Sequence, residues 1–231
     1  MDLLRDTLYP LGFIANILFA SRFTIQWFVS EYKKESVVGA NFWVISLMGN
    51  IMMAFHTFIQ LQLNICLIQT FNAVISWRNL DLRKPEEEQF SLKSVLIFIA
   101  CSLLFVFGLF VLQGWLTGNY VFFRSPSYFT KGTSTPLSAV WHIFGTIGFA
   151  LFASRFWVQW WQSEMAHASV VKSSFWWLSI AGAIMACIYF FMLNDLVNFI
   201  GPALGLLPYI RNLVLLKKKQ VAVEMETHET K

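Results

Sequence analysis

The sequence predicts an all-α polytopic membrane protein with seven transmembrane helices in a 3+1+3 arrangement, two parallel three-helix repeats joined by a linker helix. Composition, span count and an internal repeat predict it. Hydrophobic residues are 57% of the 231 and charged residues 13%, with a mean hydropathy of +0.57, whereas soluble domains carry about a quarter of charged residues. Apolar stretches cover 8–29, 42–59, 61–77, 92–116, 137–161, 175–193 and 196–216. Each is near the roughly 20 residues that a helix needs to cross the hydrocarbon core. Shifted by 133 positions without a gap, residues 12–80 lie on residues 145–213 with about 26 of 69 identical, a self-similarity that composition alone does not produce.

In order along the chain, the first repeat is expected over 8–80. Its opening span carries Asp2 and Asp6 where a secretory signal has a basic region, so it reads as a retained helix. The break at 60–64 reads as a tight turn. Residues 81–136 hold a charged loop, the linker helix and an outer loop. The linker is Phe, Leu, Ile and Val on most faces, with Ser94, Ser102 and Gln113 as its polar interior candidates. It has no counterpart in the repeat, and one odd helix is what restores a parallel relation between two three-helix units. The second repeat follows over 137–216. Its last helix contains Gly201, Pro202, Gly205 and Pro208, which free backbone carbonyls and favour a kink. A basic then acidic tail occupies 217–231.

Lys33, Lys34, Arg78, Arg83, Lys84, Lys93, Lys172, Arg211, Lys217, Lys218 and Lys219 fall on one side of this topology, and only Arg5, Arg124 and Lys131 on the other. The positive-inside rule then places the amino terminus outside and the carboxyl terminus in the cytoplasm. The same rule accounts for the net charge of +4 without nucleic acid. Cys66, Cys101 and Cys187 show no paired spacing, and His56, His142, His167 and His228 no ligand spacing, so neither a disulfide framework nor a metal or other cofactor is expected.

Repeated residues are specific. Phe19-Ala20-Ser21-Arg22-Phe23 returns as Phe152-Ala153-Ser154-Arg155-Phe156, and Gln26-Trp27 with Ser30-Glu31 as Gln159-Trp160 with Ser163-Glu164. Ser36-Val37-Val38 returns as Ser169-Val170-Val171, Phe42-Trp43 with Ser46 and Gly49 as Phe175-Trp176 with Ser179 and Gly182, and Arg78-Asn79-Leu80 as Arg211-Asn212-Leu213.

At 100° per residue, Arg22, Gln26 and Ser30 share one helical stripe with Gly12, Ala15 and Phe19. Arg155, Gln159 and Ser163 form the same stripe with Gly145, Gly148 and Phe152. A buried arginine costs roughly 2.5 to 3.5 kcal/mol or more at mid-membrane, so two of them point to an anionic or hydroxyl-rich ligand that Arg, Gln and Ser would bind. The structural alternative is snorkelling, or pairing with Glu31 and Glu164 at the cytoplasmic rim. Trp43 and Trp176 are either site residues or members of an interfacial belt. Asn50 and Asn72 are further candidates, whose second-copy equivalents are Ala183 and Gly205. Arg78, Asn79, Arg211 and Asn212 close the third helix of each repeat, where cations suit the helix dipole. No carboxylate sits mid-span, Asp195 lying at the outer rim, so neither a proton relay nor a pair of catalytic carboxylates is expected.

The pattern S-R-F-x-x-Q-W-x-x-S-E, then S-V-V, F-W-x-x-S-x-x-G and R-N-L, resembles the lipid A biosynthesis N-terminal domain family, in two tandem copies covering about 138 residues. That family is similar to the PQ-loop and SWEET transporter superfamily, although no Pro precedes Gln26 or Gln159. The resemblance implies a SWEET-like fold in a bacterial inner membrane and a phosphorylated glycolipid of the lipid A pathway, bound or translocated, with Arg22 and Arg155 on phosphate. It also implies two alternatives, a non-catalytic membrane anchor for a lipid-A-disaccharide synthase or other glycosyltransferase and a small-sugar facilitator. No glycosyltransferase domain is expected within these residues. A monomer is plausible beside a homo-oligomer, since one chain holds both repeats.

Overall fold

The computed structural model describes residues 5, 7–8, 10–34, 36, 38–122, 139–192 and 196–229. The expectations attached to Asp2, Asp6, Val37, Arg124, Lys131 and Asp195, and those for the side chains of His142, Lys219 and His228, lie outside what it describes. Among the described residues there are seven α-helices, one 3-10 turn and no strand. The helices are α1 (Leu11–Lys33), α2 (Ala40–Ile59), α3 (Leu63–Asp81), α4 (Leu92–Thr117), α5 (Ala139–Met165), α6 (Ser173–Met192) and α7 (Leu196–Glu229), with the 3-10 turn at Glu86–Glu88.

Among the described residues, four segments are long and apolar enough to cross a membrane, namely α1, α2, the stretch Glu86–Thr117 that holds α4, and α6. Helices α3, α5 and α7 carry more polar and charged residues, among them Arg78, Asn79 and Asp81 in α3 and Arg211 and Asn212 in α7.

Local chemistry sets the helix ends. Ser91 caps α4, its Oγ accepting the backbone N–H of Ser94 at 3.2 Å. Gly118 closes it with φ of 66°, the left-handed turn that glycine adopts without strain. Between α2 and α3 the chain turns tightly at Leu61, whose φ is 58°, where the sequence places a turn. Lys34 and His167, which occupy the same repeat position, end α1 and α5 with φ of 56° and 47°. A side chain there strains the backbone by about 1–2 kcal/mol, and glycine would return part of this in greater unfolded-state freedom. Lys34→Gly and His167→Gly are each expected to raise stability by about 0.5–1 kcal/mol in a thermal melt. A lower melting temperature in both would contradict the strain.

The chain forms two compact units that do not follow the sequence repeats. The first is Met1–Arg22, Ala40–Gly132 and His167–Ser169, and the second Phe23–Gly39, Thr133–Ala166 and Val170–Lys231. In the first unit α2 packs on α3 and α3 on α4, with Leu61, Leu63, Cys66 and Phe110 buried together. Gly49 lets the Phe19 ring approach closely, since a Cβ there would lie 2.7 Å from the ring. In the second unit α5 packs on α6 and α6 on α7. Gly182 brings α6 against the backbone of α5, where its Cβ would meet the Phe152 nitrogen at 2.8 Å. Helix α7 runs through Pro202 and Pro208.

Candidate functional site

Each unit buries one arginine of the repeated stripe, and the two are held differently. In the first unit Arg22 is 5% exposed. Its Nη1 donates to Ser46 Oγ at 2.8 Å, and its guanidinium lies 4.7 Å from the centre of the Phe19 ring and 5.3 Å from that of Phe42. Ser46 Oγ in turn donates to the Phe42 carbonyl at 2.6 Å, so the serine holds the arginine to α2. Further along α2, Asn50 Nδ2 donates to Ser76 Oγ at 3.2 Å, and Ser76 donates to the Asn72 carbonyl at 2.8 Å. Trp43 is completely buried, which removes the interfacial-belt reading for it; its Nε1 and the Asn72 Oδ1 are buried without a hydrogen-bond partner.

In the second unit Arg155 is 4% exposed and enclosed by aromatic rings. Its Cζ lies 3.4 Å from the centre of Phe152, 4.9 Å from Phe156, 5.6 Å from Tyr209, 5.7 Å from Phe23 and 5.8 Å from Phe175. Stacking on ring faces satisfies the positive charge of a guanidinium but leaves its in-plane N–H groups free for acceptors. Nε and Nη1 of Arg155 have no hydrogen-bond partner. Trp176, also completely buried and so outside any belt, leaves its Nε1 without a partner too, and its ring centroid is 6.3 Å from that of Tyr209.

The glutamines and serines of the stripe are tied into the protein. In the second unit Gln26 and Asn212 form a reciprocal amide pair, Gln26 Nε2 to Asn212 Oδ1 at 2.6 Å and Asn212 Nδ2 to Gln26 Oε1 at 3.1 Å. Gln26 also donates to Ser30 Oγ at 2.9 Å, and Ser36 Oγ donates to Asn212 Oδ1 at 2.9 Å. Gln159 donates to Ser163 Oγ at 2.8 Å and to the Val170 carbonyl at 3.0 Å. Ser163 Oγ accepts the Val170 N–H at 3.1 Å, which pins the S-V-V segment to α5. In the first unit Ser169 Oγ donates to Asn79 Oδ1 at 2.8 Å, so each R-N-L asparagine receives a serine from the S-V-V segment of the other sequence repeat.

Charged rim residues are paired. Arg211 grips Glu31 with two nitrogens, Nη2 to Oε2 at 2.8 Å and Nε to Oε1, the geometry that makes Arg–carboxylate bonds strong. Glu164, 5% exposed, accepts the Trp160 indole N–H at 2.8 Å. Arg78 Nη1 meets Asp81 Oδ2 at 2.5 Å, with side chains 3% and 1% exposed, and also donates to the Phe90 carbonyl at 2.8 Å. Asp81 further accepts the Phe90 N–H at 3.0 Å and Lys84 Nζ at 3.1 Å, which fastens the loop after α3.

Sequence reasoning missed Asp81 and Tyr209. Asp81 stands three residues after Arg78, an i,i+3 ion pair legible on a helix face. Tyr209 replaces Ser76 of the first repeat, and its signal is that substitution beside an otherwise matching motif. A cavity of about 600 Å³ also opens between α2, α3 and α4, walled by Val74, Trp77 and Phe98 with the hydroxyl residues Thr70, Ser94 and Ser102. Among the described residues no group of three or more His, Cys, Asp or Glu could hold a metal.

The lipid A biosynthesis N-terminal domain family matches the chain twice, over residues 11–81 and 144–214. The chain is 39% identical over 225 residues to a lipid-A-disaccharide synthase of Chlamydia felis, which covers 97% of this chain and 36% of that protein. It is 38% identical over 212 residues to the Chlamydia abortus protein of the same name, 92% of this chain and 33% of that one. Identity to the Chlamydia pneumoniae protein is 33% over 222 residues, 96% and 35% of the two chains. The chain thus spans about a third of the length of these curated relatives. No solved structure matches it. Matched over both copies of the Arg-centred motif and at these identities, the chain belongs to the lipid A biosynthesis N-terminal domain family.

Proposed function

We propose that this is a seven-span inner-membrane protein of a Gram-negative cell, with 3+1+3 helix order and a cytoplasmic carboxyl terminus, that binds a phosphorylated glycolipid of the lipid A pathway and carries it between leaflets. The observation that carries this reading is the arginine buried at the same position of both copies, Arg22 and Arg155, each against aromatic rings. Arg155, whose Nε and Nη1 are buried without a hydrogen-bond partner, is suited to an anion supplied from outside the chain, and phosphate is the anion that arginine recognises best. The relatives' name, lipid-A-disaccharide synthase, supports lipid A chemistry as the substrate class. Ser30, Ser163, Gln26 and Gln159 shape this site from behind by holding the helices that present the arginines.

The purified protein is expected to retain a phosphorylated glycolipid, detected by mass spectrometry of its lipid extract, and the Arg22→Gln plus Arg155→Gln variant is expected to lose it while keeping a cooperative thermal melt. Absence of any such lipid from the wild type would sink the reading.

A second reading rests on the match to one third of larger synthases: a membrane anchor that recruits a cytoplasmic glycosyltransferase. It makes the segments 30–41, 78–89 and 162–174, through which the partner would dock, more sensitive to substitution than the buried arginines. Capture of a glycosyltransferase by the wild type but not by a loop variant, with no glycolipid bound, would favour it.

A further inference from the structure

We infer that the groove between α2, α3 and α4 of the first unit holds one acyl chain of a zwitterionic phospholipid, whose phosphate lies at Lys84 and Lys93. The inference goes beyond the proposed function and shares with it only the membrane-spanning helices. The groove encloses about 600 Å³, within the range of about 300–1,000 Å³ for ligand sites and far above the voids that a close-packed interior leaves. Leu47 and Ile51 of α2, Ala73, Val74 and Trp77 of α3 and Phe98 of α4 supply its apolar walls.

Its aromatic corner is fixed by the protein. The Trp77 ring centroid lies 5.3 Å from that of Phe90 and 5.3 Å from that of Phe98. Phe90, which lines the groove at its loop end, is tied down by both backbone groups: its N–H donates to Asp81 Oδ2 at 3.0 Å and its carbonyl accepts Arg78 Nη1 at 2.8 Å. The buried Arg78–Asp81 pair therefore shapes the mouth before any ligand arrives. The lining selects hydrocarbon. Among the described residues around the groove none is charged, and of its three hydroxyl residues Thr70 donates to the Cys66 carbonyl at 2.8 Å while Ser94 shares a 2.9 Å bond with Ser91. A polyol would find few donors or acceptors there, and a methylene chain needs none.

Ile51, Phe90 and Phe98 are exposed, so the groove opens on the outer surface of the unit. That surface faces lipid, because α2 and the stretch that holds α4 are long and apolar enough to cross a membrane. The wall on α4 runs from Ser94 to Ser102, about 12 Å of helix axis, close to the roughly 15 Å that one leaflet contributes to the hydrocarbon core. One chain of one leaflet therefore fits along it. At the loop end Lys84 Nζ stands 5.8 Å from the centre of the Phe90 ring, with N–H groups to spare beside its bond to Asp81, and Lys93 precedes Ser94 on the first turn of α4. Lysines so placed attract lipid phosphate. The intervening turn carries Glu86, Glu87 and Glu88, which suit an ammonium, so phosphatidylethanolamine complements this loop better than a purely anionic lipid.

The test places the full-length protein in vesicles of phosphatidylethanolamine and phosphatidylglycerol, one of which carries a diazirine midway along one chain, and maps the labelled residues by mass spectrometry after irradiation. With labelled phosphatidylethanolamine, Ala73, Trp77 and Phe98 are expected to carry several times the label found on Ile184 and Ile188, exposed residues of α6 that report bulk lipid. Ala73→Trp, which fills the groove, is expected to lower the groove label at least about fivefold by excluding several methylenes, while the α6 label and a cooperative melt persist. Lys84→Gln plus Lys93→Gln is expected to lower it about fivefold. Groove label no higher than that on α6, or unchanged by Ala73→Trp, would overturn the site. Equal or stronger labelling by phosphatidylglycerol, or no change in the lysine variant, would overturn the head-group assignment. If Ala73→Trp does not fold, Ala73→Leu is the smaller plug, and wild-type labelling in that variant would overturn the inference.

Discussion

Replacing Asp81 with alanine is expected to destabilise the first unit by about 3 kcal/mol, within the range of about 3–5 kcal/mol for breaking a buried ion pair from one side. The carboxylate balances Arg78 at 2.5 Å with almost no exposure on either side chain, and it also receives the Phe90 N–H and Lys84 Nζ. Its loss leaves the Phe90 amide without its acceptor and frees the segment between α3 and α4. Asp81→Asn keeps the shape and an acceptor but not the charge, so a smaller loss of roughly half is expected. The measurement is a thermal or denaturant melt in detergent beside Lys84→Ala, whose pair with Asp81 is half exposed and is expected to contribute under about 1 kcal/mol. An Asp81→Ala protein that melts with the wild type would show that the pair contributes nothing.

Gly182→Ala carries the other large effect. The added methyl would lie 2.8 Å from the Phe152 nitrogen, 2.9 Å from its Cβ and 3.0 Å from the Gly148 carbonyl. These are mostly backbone atoms, so relief requires α5 and α6 to move apart rather than a side chain to turn. Overpacking of this kind costs about 1–3 kcal/mol, offset by about 1 kcal/mol from alanine's better helix propensity, and we expect a net loss of about 1 kcal/mol and at most about 2 kcal/mol. Because Phe152 carries the Arg155 guanidinium on its face, the same variant should also lose ligand affinity. Gly108→Ala in α4 is the matched control: nothing lies within 4 Å of its added Cβ, so propensity alone acts and stability should rise by about 1 kcal/mol. Similar melting temperatures for the two variants would mean that close helix approach at Gly182 does not matter.

Repeat and periodicity made the helices legible. The stretch 92–116 coincides with α4 to within one residue, since an uninterrupted apolar run leaves no other conformation whose backbone is satisfied in lipid. The apolar run 61–77 stops four residues before α3 ends at Asp81, and it is Arg78 and Asn79, read as closing the third helix, that carry the helix on, with Asp81 neutralising Arg78 inside it. The stripe of Arg22, Gln26 and Ser30 was visible as a polar face, and the structure buries all three. What they bond to was not visible. Gln26 meets Asn212 across 186 residues, and helical periodicity carries no information over that distance. Nor did the repeat disclose that Arg22 donates to Ser46 while Arg155 lies beside Tyr209, which stands outside the identical motif. The aromatic walls were half-written in the sequence, as F-A-S-R-F sets one phenylalanine a turn before each arginine and another just after it.

The division of α1, with Leu11 to Arg22 in one compact unit and Phe23 to Lys33 in the other, has a consequence for biogenesis. Synthesis delivers residues 23–39 long before the partners in 133–166 and 170–231 exist, and the first unit in turn waits for His167–Ser169. A chain that ends before residue 133 lacks segments that belong to both units. Fragments 1–132 and 133–231 made from separate messages should therefore be degraded when expressed singly and accumulate when expressed together.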